Sequence, residues 1–153
     1  MNEPVISKGT ILLVEDNRDD ELLTLRAFSK NRIANPIAVC RDGQEALDYL
    51  FARGSYAERR QEDLPVIILL DLKLPKVDGL EVLREIRSEE KTQLIPVIIL
   101  TTSIEDEDVI GSYKLGANSY IRKPVDFTEF VEAVRTLGNY WLLLNTNPLP
   151  GTP

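Results

Sequence analysis

Histidine is absent from all 153 residues. Without an imidazole there is no Ser-His-Asp or Cys-His nucleophile, and the usual nitrogen ligands for zinc are missing. Cysteine occurs once, at Cys40. A single thiol cannot close an internal disulfide, which fits a reducing compartment. Cys40 ends the apolar run 37–40 and reads as a small core residue. No apolar stretch approaches the roughly 20 residues of a spanning helix, and residues 1–10 lack a signal-peptide core. Positive charge is in deficit: 18 Lys and Arg face 25 Asp and Glu, for a net charge of −7. Nucleic-acid binding needs a basic stripe to neutralise phosphates, and none is available. These absences predict a soluble, cytoplasmic protein with no DNA and no membrane partner.

What is present is an alternation. Short apolar, β-branched runs fall at 10–14, 37–40, 66–70, 97–100 and 119–121, with charged amphipathic stretches between them. Strands alternating with helices predict a parallel sheet covered on both faces. The third and fourth runs are apolar throughout, as doubly buried strands are; the fifth is shorter and more polar, as an edge is. Leu22, Leu25 and Phe28 share a helix face, as do Ala46, Leu47 and Leu50, and as do Leu80, Val82, Leu83 and Ile86. A fourth helix is predicted over 105–115, with acids near its positive end. Asp126 with Glu129 three residues on reads as the cap of a fifth. Residues 53–64 are charged and read as a helix extension plus a solvated loop. Residues 138–153 carry no charged side chain and hold the cluster Tyr140-Trp141-Leu142-Leu143-Leu144. The length predicts one domain, spanning 9–145, with flexible tails at 1–8 and 146–153 and no output domain.

Chemistry gathers where the apolar runs stop. Asp71 follows 66–70 and is followed by Leu74-Pro75 and Asp78-Gly79; Asp78 reads as a helix cap. Glu15-Asp16 follows 11–14, Thr101 follows 97–100, and Lys123-Pro124 follows the fifth run. In an open parallel sheet those ends border the ligand crevice. Two adjacent acids repel unless a cation neutralises them, and hard carboxylate oxygens suit Mg²⁺; the plainer alternative is a solvated loop before a helix. Asp19 and Asp20 read as helix starters. A carboxylate can attack an activated phosphorus when a metal and a cation offset the charge. Thr101 offers a hydroxyl to a phosphate oxygen and Lys123 a point charge. A cis Lys123–Pro124 bond is expected to be accessible, because cis bonds are largely confined to proline.

These pieces, in this order, resemble the receiver domain of two-component response regulators. The resemblance runs from about residue 9 to 137. It is carried by Ile11-Leu12-Leu13-Val14-Glu15-Asp16-Asn17, Leu69-Leu70-Asp71-Leu72, Leu74-Pro75, Asp78-Gly79, Leu100-Thr101, Ala117-Asn118-Ser119-Tyr120-Ile121 and Lys123-Pro124-Val125. It implies a flavodoxin-like (βα)5 fold, a doubly wound parallel sheet of order 2-1-3-4-5; a member of this family is a standard example of that order. It implies Asp71 as phosphoacceptor and Mg²⁺ held by Asp16, Asp71 and the backbone carbonyl of Lys73, with Glu15 acting largely through water. Thr101 and Lys123 would contact the phosphoryl oxygens, and Thr101 with Tyr120 would form the switch. The donor would be a phosphohistidine on a sensor histidine kinase. The chain would catalyse only its own phosphorylation and slow hydrolysis.

Within the family the chain is similar to single-domain regulators that partner bacterial phytochromes. The shared features are Leu72-Lys73-Leu74-Pro75-Lys76, Thr101-Thr102-Ser103, Tyr120, Lys123-Pro124-Val125-Asp126 and the aromatic end at Tyr140-Trp141. Lys73 and Ser103, each two residues past a site residue, offer no carboxylate or amide to align water, which predicts slow self-dephosphorylation. Thr102 stands where the family usually has a small residue. Tyr140 to Leu144 reads either as the last turns of the final helix or as part of a dimer surface with the fourth and fifth helices and the fifth strand, and a homodimer is predicted. Two further classes stay open. One is a receiver-like binding module that works without phosphorylation. The other is a phosphohydrolase of the haloacid dehalogenase type, which needs an acid where Lys73 stands.

Overall fold

The computed structural model describes residues 9–148, apart from Val125 and the side chain of Asp106. The expected tail at 1–8 lies outside the described residues, as do 149–153 and the Val125 of the fifth-strand motif. Five strands form one parallel sheet: β1 (Ile11–Val14), β2 (Ile37–Cys40), β3 (Ile67–Leu70), β4 (Val97–Thr101) and β5 (Ser119–Arg122). Their order is β2-β1-β3-β4-β5, the expected one. Five helices alternate with them: α1 (Arg18–Lys30), α2 (Gly43–Phe51), α3 (Gly79–Ser88), α4 (Asp106–Lys114) and α5 (Phe127–Gly138).

Period-two alternation splits the strand side chains between two cores. Leu12, Val14, Ile68, Leu70, Val97 and Ile99 face the core closed by α2 and α3. Ile11, Leu13, Ile67, Leu69, Ile98 and Leu100 face the core closed by α1 and α5. Every residue of β1, β3 and β4 is buried, whereas β2 and β5 at the edges are mostly half-buried. Each fully buried Leu or Ile contributes roughly 1.5–3 kcal/mol of transfer free energy, so the three central strands anchor the molecule.

Helix starts follow local chemistry. The side chains of Asn17, Asp42, Asp78 and Asp126 accept hydrogen bonds from the amides of Asp20, Glu45, Glu81 and Glu129. Asp78 and Asp126 thus cap as expected. Cys40 is fully buried.

The expected helix extension after α2 does not form. Ala52 turns left-handed (φ 53°) and ends the helix. A 3₁₀ turn at Gly54–Tyr56 follows. Arg59 then fastens the segment: its guanidinium donates to the carbonyls of Tyr49 (2.6 Å), Leu50 (3.0 Å) and Asp63. It thereby adds a partner to carbonyls in the last turn of α2. Past α5 the chain continues as a π-helical turn, Asn139–Leu144. Trp141 and Leu142 pack on the α1/α5 core, while Tyr140, Leu143 and Leu144 stay exposed. Among the described residues no helix is long and apolar enough to cross a membrane.

Candidate functional site

The strand-end residues are fixed because sheet hydrogen bonding continues past the strands. The Glu15 amide donates to the Cys40 carbonyl (2.9 Å), that of Asp71 to Val14 (3.1 Å) and that of Lys123 to Thr101 (2.8 Å). The side chains of Glu15, Asp71, Thr101 and Lys123 therefore leave the same edge and meet there.

Asp71 is held at both carboxylate oxygens. Its Oδ1 accepts from the Thr101 hydroxyl (2.8 Å) and the Lys73 amide (3.1 Å). Its Oδ2 accepts from Lys123 Nζ (3.0 Å). Lys123 Nζ also donates to Glu15 Oε1 and to Asp20 Oδ2 (3.0 Å). Its side chain is only 7% exposed. An ammonium so deeply placed needs that many partners to offset its desolvation.

Sequence reading missed Asp20. It sits in the first turn of α1, and helical side chains lean toward the N-terminus. That lean carries its carboxylate back over the site, which was the available signal. The Lys123–Pro124 bond is trans, because no described peptide bond is cis. The trans isomer is the favoured one by roughly 0.5–1 kcal/mol, and Lys123 reaches its partners without the turn.

The charges sort by environment. Burial is the largest influence on Glu15; Lys123 works against it and the Asp71 charge with it, and the carboxyl rises from 4.5 to about 7. Burial acts on Asp71 too. There the Lys123 charge, the Thr101 hydroxyl and the Lys73 amide outweigh it, and the carboxyl falls below its ordinary value. Burial disfavours the Lys123 ammonium, but Glu15, Asp71 and Asp20 overcome this and lift its pKa above the usual lysine range. Of the two buried carboxyls, Asp71 is thus the one the site holds in its ionised form.

Glu15, Asp16 and Asp71 offer carboxylate oxygens that lie within 4.8 Å of one another. Glu15 and Asp71 are buried and Asp16 is exposed. A close set of hard oxygens with one side open to water fits an octahedral divalent cation that keeps several waters. Asp16 and Lys73 line an open cleft of about 460 Å³ with Leu72, Leu74, Pro75, Asp78, Leu80 and Asp108.

The loop after β3 that borders this cleft is clamped. Gly43 donates to the Pro75 carbonyl at 3.3 Å, and Lys76 pairs with Asp42 at 3.6 Å. A Cβ on Gly43 would stand 1.8 Å from the Val77 carbonyl oxygen, and one on Gly79 2.4 Å from that of Asp71. Only glycine lets these backbones approach. On the far side, Tyr120 is half-buried and donates its hydroxyl to the Ser103 carbonyl (3.2 Å).

A five-stranded 2-1-3-4-5 sheet with an acid pocket, a threonine and a lysine at its carboxyl edge defines a class of phosphoryl-accepting signalling proteins. The chain belongs to the response regulator receiver domain family, whose model matches residues 11–135. It is 44% identical over 140 residues to the probable methanogenesis regulatory protein FilR2 of Methanothrix harundinacea, covering 92% of this chain and 88% of that one. It is 38% identical over 138 residues to the response regulator Rcp1 of Synechocystis sp., covering 90% and 92%. The Mn(2+)-bound structure of Rcp1 superposes with a TM-score of 0.84, at 38% identity over 92% of this chain and 99% of that one. The phosphorylated cyanobacterial phytochrome response regulator RcpA superposes with a TM-score of 0.85, at 39% identity over 93% and 99%.

Proposed function

We propose that the chain, over residues 9–145, is a stand-alone response regulator that takes a phosphoryl group from a sensor histidine kinase on Asp71. The observation that carries this is the holding of Asp71. One oxygen is tied to Lys123 and the other to Thr101 and the Lys73 amide, and a cleft lies open beside them. The likeness to RcpA, a phytochrome response regulator, supports a bacterial phytochrome as the kinase.

In the forward step an ionised Asp71 oxygen attacks the phosphorus of the donor. The P–N bond of the donor phosphohistidine breaks, and its imidazole leaves with a proton. The product is an acyl phosphate. In the reverse step water attacks that phosphorus, inorganic phosphate leaves and the Asp71 carboxylate returns. Asp16, Asp71 and the Lys73 carbonyl would hold Mg²⁺, with Glu15 acting through water, and the ion would supply positive charge to the phosphoryl oxygens. Lys123 neutralises further charge on those oxygens, and Thr101 orients one of them. Their removal weakens a transition state in which charge spreads over the phosphoryl group.

Thr101 and Tyr120 form the switch. When Thr101 closes on the phosphoryl group, the tyrosine ring fills the space behind it and keeps its bond to the loop after β4. A few kcal/mol of differential contact shifts such an equilibrium substantially. Lys73, two residues after Asp71, presents no general acid or water-aligning group, so self-hydrolysis is slow and turnover of phosphomonoesters is not expected. Exposed Tyr140, Leu143 and Leu144 together with α4 support a homodimer as the signalling form. A monomeric mass at tens of micromolar, with and without beryllofluoride, would remove the dimer from this reading.

Incubation with acetyl phosphate and Mg²⁺, read by intact mass, tests the core of it. The expected result is an adduct of about 80 Da on the wild-type chain and none on Asp71→Asn. Equal labelling of both chains would assign the phosphoryl group elsewhere.

A further inference from the structure

One polar contact beside the site takes no part in the chemistry above. Asp108, in the first turn of α4, is half-buried and lines the cleft. Its Oδ2 accepts the Ser103 hydroxyl at 2.5 Å and stands 3.7 Å from Lys73 Nζ. Both partners belong to the phosphoacceptor region. The Lys73 amide donates to Asp71 Oδ1, and the Ser103 amide leans on Thr101 Oγ1 (3.4 Å). The Ser103 carbonyl accepts the Tyr120 hydroxyl. One carboxylate therefore bridges the loop after β3, the loop after β4 and the start of α4.

Among the described residues little else secures that start beyond the Ser103 hydroxyl, which accepts the Glu105 amide at 3.4 Å. Glu105, the residue before α4, makes no side-chain cap. Among the described side chains of α4 only Ser112 is buried. A helix end held by few contacts opens locally at low cost, and removing the counter-charge of its bridging acid biases that opening.

We propose that Asp108 is a positioning residue for the phosphoryl chemistry at Asp71. It tethers the Lys73 ammonium at the cleft mouth while Asp71 is bare and yields it to the phosphoryl group once that arrives, which loosens the start of α4. The exchange follows from charge. A phosphoryl group carries close to two negative charges and three acceptor oxygens, against one charge on Asp108. The other acids of the cleft are engaged: Asp78 caps the Glu81 amide, and Asp16 belongs to the metal-ligating set. The proposal rests on Asp71 being the phosphoacceptor.

The test compares wild type, Asp108→Asn, Lys73→Met and the double variant, each with acetyl phosphate and Mg²⁺, following adduct formation and decay by intact mass. Asp108→Asn keeps an acceptor for Ser103 and removes only the charge. Freed of its tether, Lys73 is expected to speed adduct formation and slow adduct decay, each about two- to fivefold at low salt. Both effects should shrink at high salt and vanish in the Lys73→Met background, and Asp108→Glu should restore wild-type rates. Hydrogen exchange at 105–109 should be faster in bare Asp108→Asn, as in phosphorylated wild type. Unchanged rates in Asp108→Asn, or the same change with Lys73 already removed, would overturn the proposal while leaving the phosphoacceptor intact. A wild-type chain that takes no adduct would overturn both.

Discussion

Helices α2 and α4 are each nine residues long and lie toward opposite edges of the sheet, α2 by β2 and α4 by β5, and they are held in opposite ways. Helix α2 buries Gly43, Ala46, Leu47 and Leu50. Asp42 caps its start (2.7 Å), and Arg59 occupies the carbonyls at its end. The Tyr56 hydroxyl bonds Glu45 on its flank at 2.6 Å, and the Arg59 guanidinium stacks 4.6 Å over the Tyr49 ring. Helix α4 lacks a side-chain cap at its first turn and carries Gly111 in its middle. Ile110 and Tyr113 point to solvent at 54% and 51% exposure. The half of the molecule with α2 clamps the loop after β3 through Gly43 and Asp42. The half with α4 borders Thr101 and Tyr120. A device that must hold a geometry and report a change needs both kinds of attachment, and local stability is uneven where function requires movement.

The contrast breaks most readily at the buried face of α2. Leu50→Ala leaves a cavity in the core closed by α2 and α3 and is expected to cost about 2–5 kcal/mol. Ile110→Ala on α4 removes an exposed side chain and should stay within about 0.5 kcal/mol. Urea unfolding of the two variants against wild type measures both. A comparable loss for Ile110→Ala would mean that α4 is packed as firmly as α2.

Much of this architecture is legible in the sequence. Doubly buried strands leave little room for polar side chains, so β3 and β4 as far as Leu100 announced themselves as unbroken apolar runs. The site was legible because a charged residue at the end of such a run has nowhere to go but the sheet's edge. What stayed hidden is tertiary. Arg59 looks like any surface arginine, and only the fold brings it to the carbonyls of Tyr49 and Leu50, so the segment after α2 read as more helix. Asp20 and Asp108 looked like acids opening a helix; their reach to Lys123 and Lys73 depends on where each helix axis points. The trans Lys123–Pro124 bond shows the limit of a permissive signal, since proline allows the cis form without requiring it.

A subtler probe of the fixed half is Glu15. Its carboxyl is raised to about 7 in the fold from an ordinary 4.5. Between those values the folded chain binds more protons than the unfolded one, so stability falls as pH rises across that window and levels off above it. Asp71 shifts the other way. Its contribution is present above its ordinary 3.8 and is lost as pH falls through its lowered folded value, below the Glu15 window. Glu15→Gln is therefore expected to flatten the decline, read as melting temperature against pH. Mg²⁺ should stabilise wild type more at about pH 8 than at about pH 5.5, because the cation competes with the Glu15 proton. A rising profile between about 4.5 and 7 would mean that Lys123 outweighs burial at this site.

The smallest effect concerns why α4 is loose. Its one buried side chain among those described is Ser112, whose hydroxyl has no hydrogen-bond partner there. An unpaired buried hydroxyl costs free energy that a methyl group does not. Ser112→Ala is therefore expected to stabilise the chain by about 0.5–1 kcal/mol and to slow hydrogen exchange in α4 while leaving α2 unchanged. A helix drawn in this way resists the release of its first turn, so phosphorylation should then accelerate exchange at 105–109 less than in wild type. If Ser112→Ala instead destabilises, the hydroxyl is paired in solution, and the looseness of α4 rests on Gly111 and the missing cap alone.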